Sequence, residues 1–257
     1  MPKAYIIGVG EDGAPSRGPN ALGMIHEADL LCGGPRLLDL FPTVRARKVA
    51  VRSNLAELAS LIGERVDRER VVVLASGDPN FYGIARRLVS ELGKERVEII
   101  PNVSSMQLAF ARVKESWDDA VLTSVHGRSI EEILDLVRSS GKIGIFTDNQ
   151  RTPGEIARML LDRGSAGYRA FVCENLGGPE ERVTETDLHG LVALPVSPLN
   201  VLILLRQEGT EERAVSGRAA WSLGIPDRAF FQRKPLRGLI TKAEVREVSL
   251  SKLGLCQ

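Results

Sequence analysis

Charge of one sign is not in excess in this chain of 257 residues: 34 Lys and Arg stand against 33 Asp and Glu, a formal net charge of +1. A sequence-independent nucleic-acid binder carries a basic excess, so that class is disfavoured. Aromatics are few, at 5%, and no aromatic-basic patch offers bases a stacking platform, which argues against RNA. The three cysteines, Cys32, Cys173 and Cys256, are far apart and form no CxxC pair. That excludes a disulfide framework and a zinc ribbon, and fits a reduced, cytoplasmic compartment. His26, His126 and His189 are equally scattered, so no metal site is expected. No apolar run approaches the roughly 20 residues of a membrane helix; the longest are short, such as residues 201–205. The opening Met1-Pro2-Lys3-Ala4-Tyr5 runs straight into a strand-like segment, so no signal peptide is expected. What is present is 43% hydrophobic residue, ample for a core. At about 150 residues per domain, the length fits one large or two medium domains.

Along the first 207 residues, short apolar runs alternate with helical patterns. AYIIGV (4–9), VVVLA (71–75), residues 97–100 and KIGIFT (142–147) read as strands by length and β-branched content. Helix starts are marked by Asn54-x-x-Glu57, Ser104-x-x-Gln107, Ser129-x-x-Glu132 and Thr152-Pro153-Gly154-Glu155. Each offers a side-chain oxygen to the first free N–H groups, with Glu or Gln placed to return the bond. Such alternation predicts an α/β protein with a mostly parallel sheet. Periodicity lapses and charges cluster at 113–119, which predicts two α/β domains, 1–115 and 116–207. Within 176–198, RVTETDL and GLVAL read as antiparallel strands. The remaining piece, 208–257, holds 9 basic and 6 acidic residues, a net of +3, against −2 for the rest.

Three turns follow predicted strands. Gly8-Val9-Gly10-Glu11-Asp12-Gly13 spells the dinucleotide GxGxxG, yet Pro15, Gly18 and Pro19 delay the next helix to about Pro19. The second strand runs into Gly33-Gly34-Pro35 without an acid, so the dehydrogenase context is missing. Ser76-Gly77-Asp78-Pro79-Asn80-Phe81-Tyr82-Gly83 places small residues at a strand's carboxyl end, where open α/β sheets bind ligands. Asp78 suits two roles: acceptor for a ligand amino group, or cap of a helix starting near Asn80. The third turn is Ile100-Pro101-Asn102-Val103-Ser104-Ser105, where a cap at Ser104 is compatible with a ligand role at Ser105.

GVGEDG, SGDPNFYG and PNVSS, in that order, resemble the tetrapyrrole methylase family, whose members bind S-adenosylmethionine (SAM) between two α/β domains. SGDPNFYGIA, Ser124-Val125-His126-Gly127-Arg128 and ENLGGPEERV look like its precorrin-6Y branch, which methylates carbon 5 of a corrin precursor in cobalamin biosynthesis. The resemblance covers about residues 3–206. Glu11-Asp12-Gly13 and Ser16-Arg17 stand where many members have Gly-Pro-Gly and Leu-Thr.

The resemblance implies SAM as cofactor, with S-adenosylhomocysteine as product. It implies the Gly8 and Gly10 turn, Gly77, Asp78 and Phe81 along the cofactor, Ser104 and Ser105 nearby, and Thr147, Asp148, Leu199 and Asn200 closing over it. It further implies a homodimer and a carboxylate-rich corrinoid substrate, met by a locally basic cleft drawing on Arg17, His126, Arg128 and Arg151, with His126 and Arg128 as candidate catalytic residues. Methylation of another ring carbon, or a catalytically silent module of the same fold, are the alternatives. The tail, with a Thr241-x-x-Glu244 capping box, resembles the opening of a second module that methylates carbon 15 and removes a carboxyl. On that reading the chain carries the carbon 5 activity alone, as a fragment or a short gene product, with a self-contained docking helix as the other reading of the tail.

Overall fold

A computed structural model describes residues 2–13, 20–51 and 55–207. The chain divides into two compact units, Met1–Glu212 and Arg213–Gln257, and everything below belongs to the first. The Asn54 cap, Ser16, Arg17 and the 208–257 tail lie outside the described residues.

The elements of the first half are β1 (Ala4–Val9), α1 (Ala21–His26), β2 (Leu30–Gly33), α2 (Pro35–Asp39), β3 (Arg47–Ala50), α3 (Leu55–Arg65), β4 (Val71–Ser76), α4 (Ala85–Leu92), β5 (Val97–Ile100) and α5 (Ser105–Val113). Those of the second are β6 (Val121–Ser124), α6 (Ile130–Ser139), β7 (Lys142–Phe146), α7 (Pro153–Asp162), β8 (Tyr168–Glu174), β9 (Arg182–Asp187), α8 (Leu188–Ala193) and β10 (Asn200–Arg206).

The first sheet has five strands in the order β3-β2-β4-β1-β5, all parallel. Continuous apolar runs such as VVVLA are what a sheet covered on both faces requires. Successive residues point to opposite faces. Ile6, Leu30, Val71 and Val73 pack with Leu58, Ile62 and Leu88 of α3 and α4. Ile7, Leu31, Val72 and Leu74 pack with Ile25, Leu37 and Leu38 of α1 and α2.

The second sheet, β6-β7-β10-β8-β9, departs from the expected parallel pattern. Only β6 and β7 pair in parallel; β10 runs antiparallel between β7 and β8, and β9 antiparallel to β8. The connections account for this. α6 and α7 are helical crossovers, whereas the β8–β9 link is a short loop around Asn175 (φ 47°) and Gly177 (φ 82°), the reversal an antiparallel pair uses. The first of the two expected antiparallel pieces is β9. The second, GLVAL, is helical and belongs to α8. Asp187 caps that helix by accepting from the Gly190 N–H at 2.8 Å, and the i,i+3 pair Leu188 and Leu191 is its buried face. The local cap overrides the apparent alternation.

One face of this sheet packs on α6, α7 and α8. The other is covered by Met106, Ala109 and Phe110 of α5 against Phe171, Cys173, Val201 and Ile203. α5 therefore follows the first sheet in the chain but packs on the second. Gly144 permits the approach: a Cβ there would stand 2.5 Å from Met106 Sδ and 2.9 Å from Phe110 Cε2. The caps at Ser104, Ser129 and Thr152 form as expected, each accepting from the N–H three residues on. At Ser104 the box is complete, with Gln107 returning the bond at 2.9 Å.

Candidate functional site

The carboxyl ends of β1, β2 and β4 face those of β6, β7 and β8 across a cleft of about 400 Å³. That is the size of a small-molecule site, at the strand edge where open α/β sheets place theirs.

On the first-sheet side the three expected turns come together through backbone. Gly77 N–H donates to Val9 O at 2.9 Å, and Asn102 N–H to Gly77 O at 3.3 Å. A Cβ on Gly8 would lie 2.0 Å from Gly77 O, and one on Gly77 (φ +61°) 2.9 Å from Ser104 Cα. Glycine is required at both positions by this closeness. The Gly10 carbonyl closes the next turn by accepting from Gly13 N–H.

Asp78 takes a different local role from the expected helix cap. Its Oδ1 accepts from Asn80 N–H at 2.8 Å, forming an Asx turn, and α4 begins only at Ala85, after a non-helical stretch. That delay carries Phe81 and Tyr82 to the cleft. Tyr82 adopts φ 54°, a conformation unfavourable for a bulky residue. It is held there by its hydroxyl, which donates to Leu122 O of β6 at 2.9 Å, and by edge-on ring contacts with Phe81 and Phe146 at 5.0 and 5.9 Å.

On the second-sheet side, Thr147 Oγ donates to Asn200 Oδ1 at 2.7 Å, and Asn200 Nδ2 to Ser197 O at 2.7 Å. Ser197 Oγ in turn donates to Asn175 Oδ1 at 3.1 Å. Behind them the 1%-exposed Glu174 accepts from Ser197 N–H at 2.7 Å and from Arg182 Nε and Nη2 at 2.7 and 2.9 Å. Burial pushes the Glu174 carboxyl up, but the Arg182 guanidinium and the Ser197 N–H outweigh it, and it lies below the usual carboxylate range.

Ser124 Oγ accepts from the His126 N–H at 3.2 Å and lies 3.1 Å from His126 Nδ1. His126 Nε2 lies 3.9 Å from Asp148 Oδ2. A Ser124 hydroxyl donating to Nδ1 leaves the ring proton on Nε2, on the side facing Asp148 but beyond hydrogen-bond distance of it. Asp148 Oδ1 also accepts from the Arg151 and Gln150 N–H groups at 2.6 and 2.9 Å. These backbone bonds, the Arg151 one foremost, hold its carboxyl low against the opposing effect of burial, with help from His126.

Of the expected residues, Phe81, Ser105, His126, Thr147, Leu199 and Asn200 line the cleft. Gly8, Gly10, Gly77, Asp78, Ser104 and Asp148 form the turns behind that lining. Arg128 is exposed and outside the lining, and Arg151 donates to Val125 O. The locally basic cleft is not what the described residues make: one Arg, Arg36, lines it, and it is ion-paired with Glu11. The sequence marks Glu11 only as a departure from the family's first-loop pattern and does not single out Arg36. Arg36 follows the Gly33-Gly34-Pro35 turn, which was judged only for its missing acid. Cys173 also lines the cleft; burial raises its thiol to about 12, so it is no thiolate nucleophile. Among the described residues no group of three or more His, Cys, Asp or Glu side chains is placed to hold a metal ion.

Residues 3–192 match the family model described as "Tetrapyrrole (Corrin/Porphyrin) Methylases". The chain belongs to the tetrapyrrole methylase family. It is 38% identical over 195 residues to a cobalt-precorrin-7 C(5)-methyltransferase of Salmonella typhimurium, covering 76% of this chain and 92% of the relative. It is 33% identical over 256 residues to a precorrin-6Y C(5,15)-methyltransferase [decarboxylating] of a Sinorhizobium species, covering 98% of this chain but 59% of the relative. Among solved structures, the cobalamin-biosynthesis precorrin-6Y methylase of Archaeoglobus fulgidus aligns with a TM-score of 0.59 at 23% identity, over 81% of this chain and all of that one. A uroporphyrin-III C-methyl transferase of Thermus thermophilus, complexed with S-adenyl homocysteine, aligns at 0.64 and 22%, over 79% and 96%. These likenesses establish the shared fold.

Proposed function

We propose that this protein transfers a methyl group from SAM to carbon 5 of a precorrin or cobalt-precorrin macrocycle, in cobalamin biosynthesis. The observation that carries the reading is the match over 92% of a relative named for that reaction, in a chain whose two sheets meet at a ligand-sized cleft. The cleft fits the cofactor. Phe81, Tyr82 and Phe146 form an apolar aromatic wall, suited to an adenine and to the sulfonium of SAM. The Thr147–Asn200 pair and the backbone at Leu199 supply hydrogen-bonding groups for a ribose and an amino acid end.

Bound SAM supplies an already activated methyl group. The chain therefore needs no strong nucleophile; its task is positioning, which in well-oriented systems is worth up to roughly 7–11 kcal/mol. The Gly8, Gly10 and Gly77 turns bring backbone close to the cofactor. Asp78 and Asp148 fix the turns on either side, and Ser104 fixes the start of α5, where Ser105 lines the cleft. His126, positioned by Ser124 at Nδ1, is the side chain placed to hold a proton at Nε2. Arg128, two residues on, is the proposed partner of a substrate carboxylate. The halves 1–115 and 116–207 act as the two walls, in a cytoplasmic homodimer. The last fifty residues correspond to the start of a carbon 15 module, in keeping with the span shared with the two-activity relatives.

Calorimetric titration with SAM and S-adenosylhomocysteine, followed by incubation with cobalt-precorrin-7 and product mass, tests the reading. Micromolar binding and a gain of one methyl are expected. No binding of either nucleoside would overturn the enzyme reading, and binding without methylation would overturn the substrate. Gel filtration checks the dimer.

A further inference from the structure

Arg36 and Glu11 enter the same cleft from two strand ends of the first sheet and meet there as an ion pair. Among the described residues lining the cleft, Arg36 is the one fixed cation and Glu11 the one carboxylate. Their side chains remain 42% and 23% exposed. A pair so open to water adds little to folding stability, so stability does not account for its position. Burial on the protein side lowers the Arg36 guanidinium's hold on its proton, which is the condition of a cation that gains from an anionic partner. The backbone of Glu11 is set in the turn closed by Gly13 N–H on Gly10 O. Its Cβ lies 3.6 Å from where a Cβ on Gly178 would stand, so the turn rests against the loop after β8. The side chain beyond that Cβ is the part able to turn away.

We propose that Arg36 is a carboxylate subsite of this cleft and that Glu11 is its resident occupant: a carboxylate of the bound macrocycle replaces Glu11 on the guanidinium, and Glu11 turns to solvent. The proposal rests on the corrinoid reading above, which supplies a ligand rich in carboxylates. A guanidinium presents two parallel donors that match a carboxylate edge. With Glu11 in place, the guanidinium keeps an anionic partner through Nη1 in the free protein. A ligand without a carboxylate at this corner cannot compensate for displacing Glu11, so the pair discriminates as well as binds. Glu11 is thus a built-in competitor, and removing its charge has the opposite effect to removing Arg36.

The test uses the full chain saturated with S-adenosylhomocysteine and titrated with cobalt-precorrin-7. Glu11→Gln is expected to tighten binding by about threefold or more, and Arg36→Gln to weaken it by about tenfold or more, the scale of a charge-assisted bond at a part-exposed site. Arg36→Lys falls between, since an ammonium lacks the fork. S-adenosylhomocysteine affinity within about threefold of wild type certifies each variant's fold; if Glu11→Gln fails that check, Glu11→Ser takes its place. Weaker or unchanged binding in the Glu11 variant, or unchanged binding in Arg36→Gln, overturns the proposal while leaving the corrinoid reading intact. A wild-type protein that binds S-adenosylhomocysteine but not cobalt-precorrin-7 overturns the corrinoid reading, and the subsite with it.

Discussion

Glu174 is the position at which the second-sheet wall of the cleft is most open to a decisive perturbation. Its carboxylate sits behind the lining, 1% exposed, and pins Ser197, which in turn holds Asn175 and Asn200. Two substitutions separate charge from hydrogen bonding. Glu174→Gln keeps an oxygen for the Ser197 N–H and loses the ion pair with Arg182. That arginine is 60% exposed, so water takes over much of the lost interaction and the cost is about 1 kcal/mol. Glu174→Ala also leaves the Ser197 N–H without its acceptor and opens a cavity, for a total of about 3 kcal/mol. The assay is urea unfolding alongside calorimetry with S-adenosylhomocysteine. Gln is expected to keep affinity within about twofold, and Ala to lose about tenfold as Asn175 and Asn200 lose their anchor, an order of magnitude corresponding to one lost hydrogen-bonded contact. Equal losses of affinity for Gln and Ala would refute the claim that the Ser197 bond, not the charge, positions the wall.

The same residue fixes a pH dependence with a definite sign. The folded carboxyl is held below its unfolded value, so its contribution to stability is complete above the unfolded pKa, about 4.3. It is lost as pH falls through the folded pKa. Wild type therefore leads Glu174→Gln in stability at neutral pH, and that lead shrinks on acidification below about pH 4.3. A lead that instead grew in acid would show that the carboxyl is not held low.

Three further outcomes are expected. Gly144→Ala forces a methyl against Met106 and Phe110 and is expected to destabilise by about 1–3 kcal/mol in urea unfolding, the range for an overpacked core. Tyr82→Phe removes the bond to Leu122 O that ties the two walls, a loss of about 1 kcal/mol, with weaker S-adenosylhomocysteine binding by calorimetry. Asp78→Ala releases the Asx turn that carries Phe81 and Tyr82 to the cleft; SAM affinity is expected to fall, and an unchanged affinity would show that the turn forms without it.

Legibility in the sequence followed the range of the interactions. The first sheet is built from continuous apolar runs and glycine turns, and each signal is local. Gly8 and Gly77 announce close backbone approach wherever the fold puts them, and the box at Ser104 needs only its own four residues. The second sheet was misread where local and distant information compete. GLVAL has strand composition, and only the Asp187 cap with the Leu188–Leu191 face makes it α8. The antiparallel insertion of β10 between β7 and β8 is a choice of partner among apolar strands, which no strand carries in its own residues. Within the site, Phe81, Ser105, Thr147 and Asn200, which line the cleft, were within reach of the family resemblance. The pairing of Glu11 with Arg36 was not, because nothing local to either residue names its partner. Their meaning comes from the pairing across 25 positions.

The two walls differ in what determines their shape, and this bears on how the cleft tolerates change. The first wall is set by steric exclusion: a Cβ at Gly8 would reach Gly77 O at 2.0 Å and Asn102 N at 2.7 Å, so any side chain there drives three turns apart at once. The second wall is set by a chain of hydrogen bonds from Arg182 through Glu174 and Ser197 to Asn175 and Asn200. Each link there is replaceable by another donor or acceptor of the same reach. Substitutions that retune ligand preference while preserving the fold are therefore expected in the second wall and at the Glu11–Arg36 corner, where polar groups rather than backbone contacts define the surface. The glycine turns have no such latitude, because backbone closeness leaves no room for a side chain at Gly8 or Gly77.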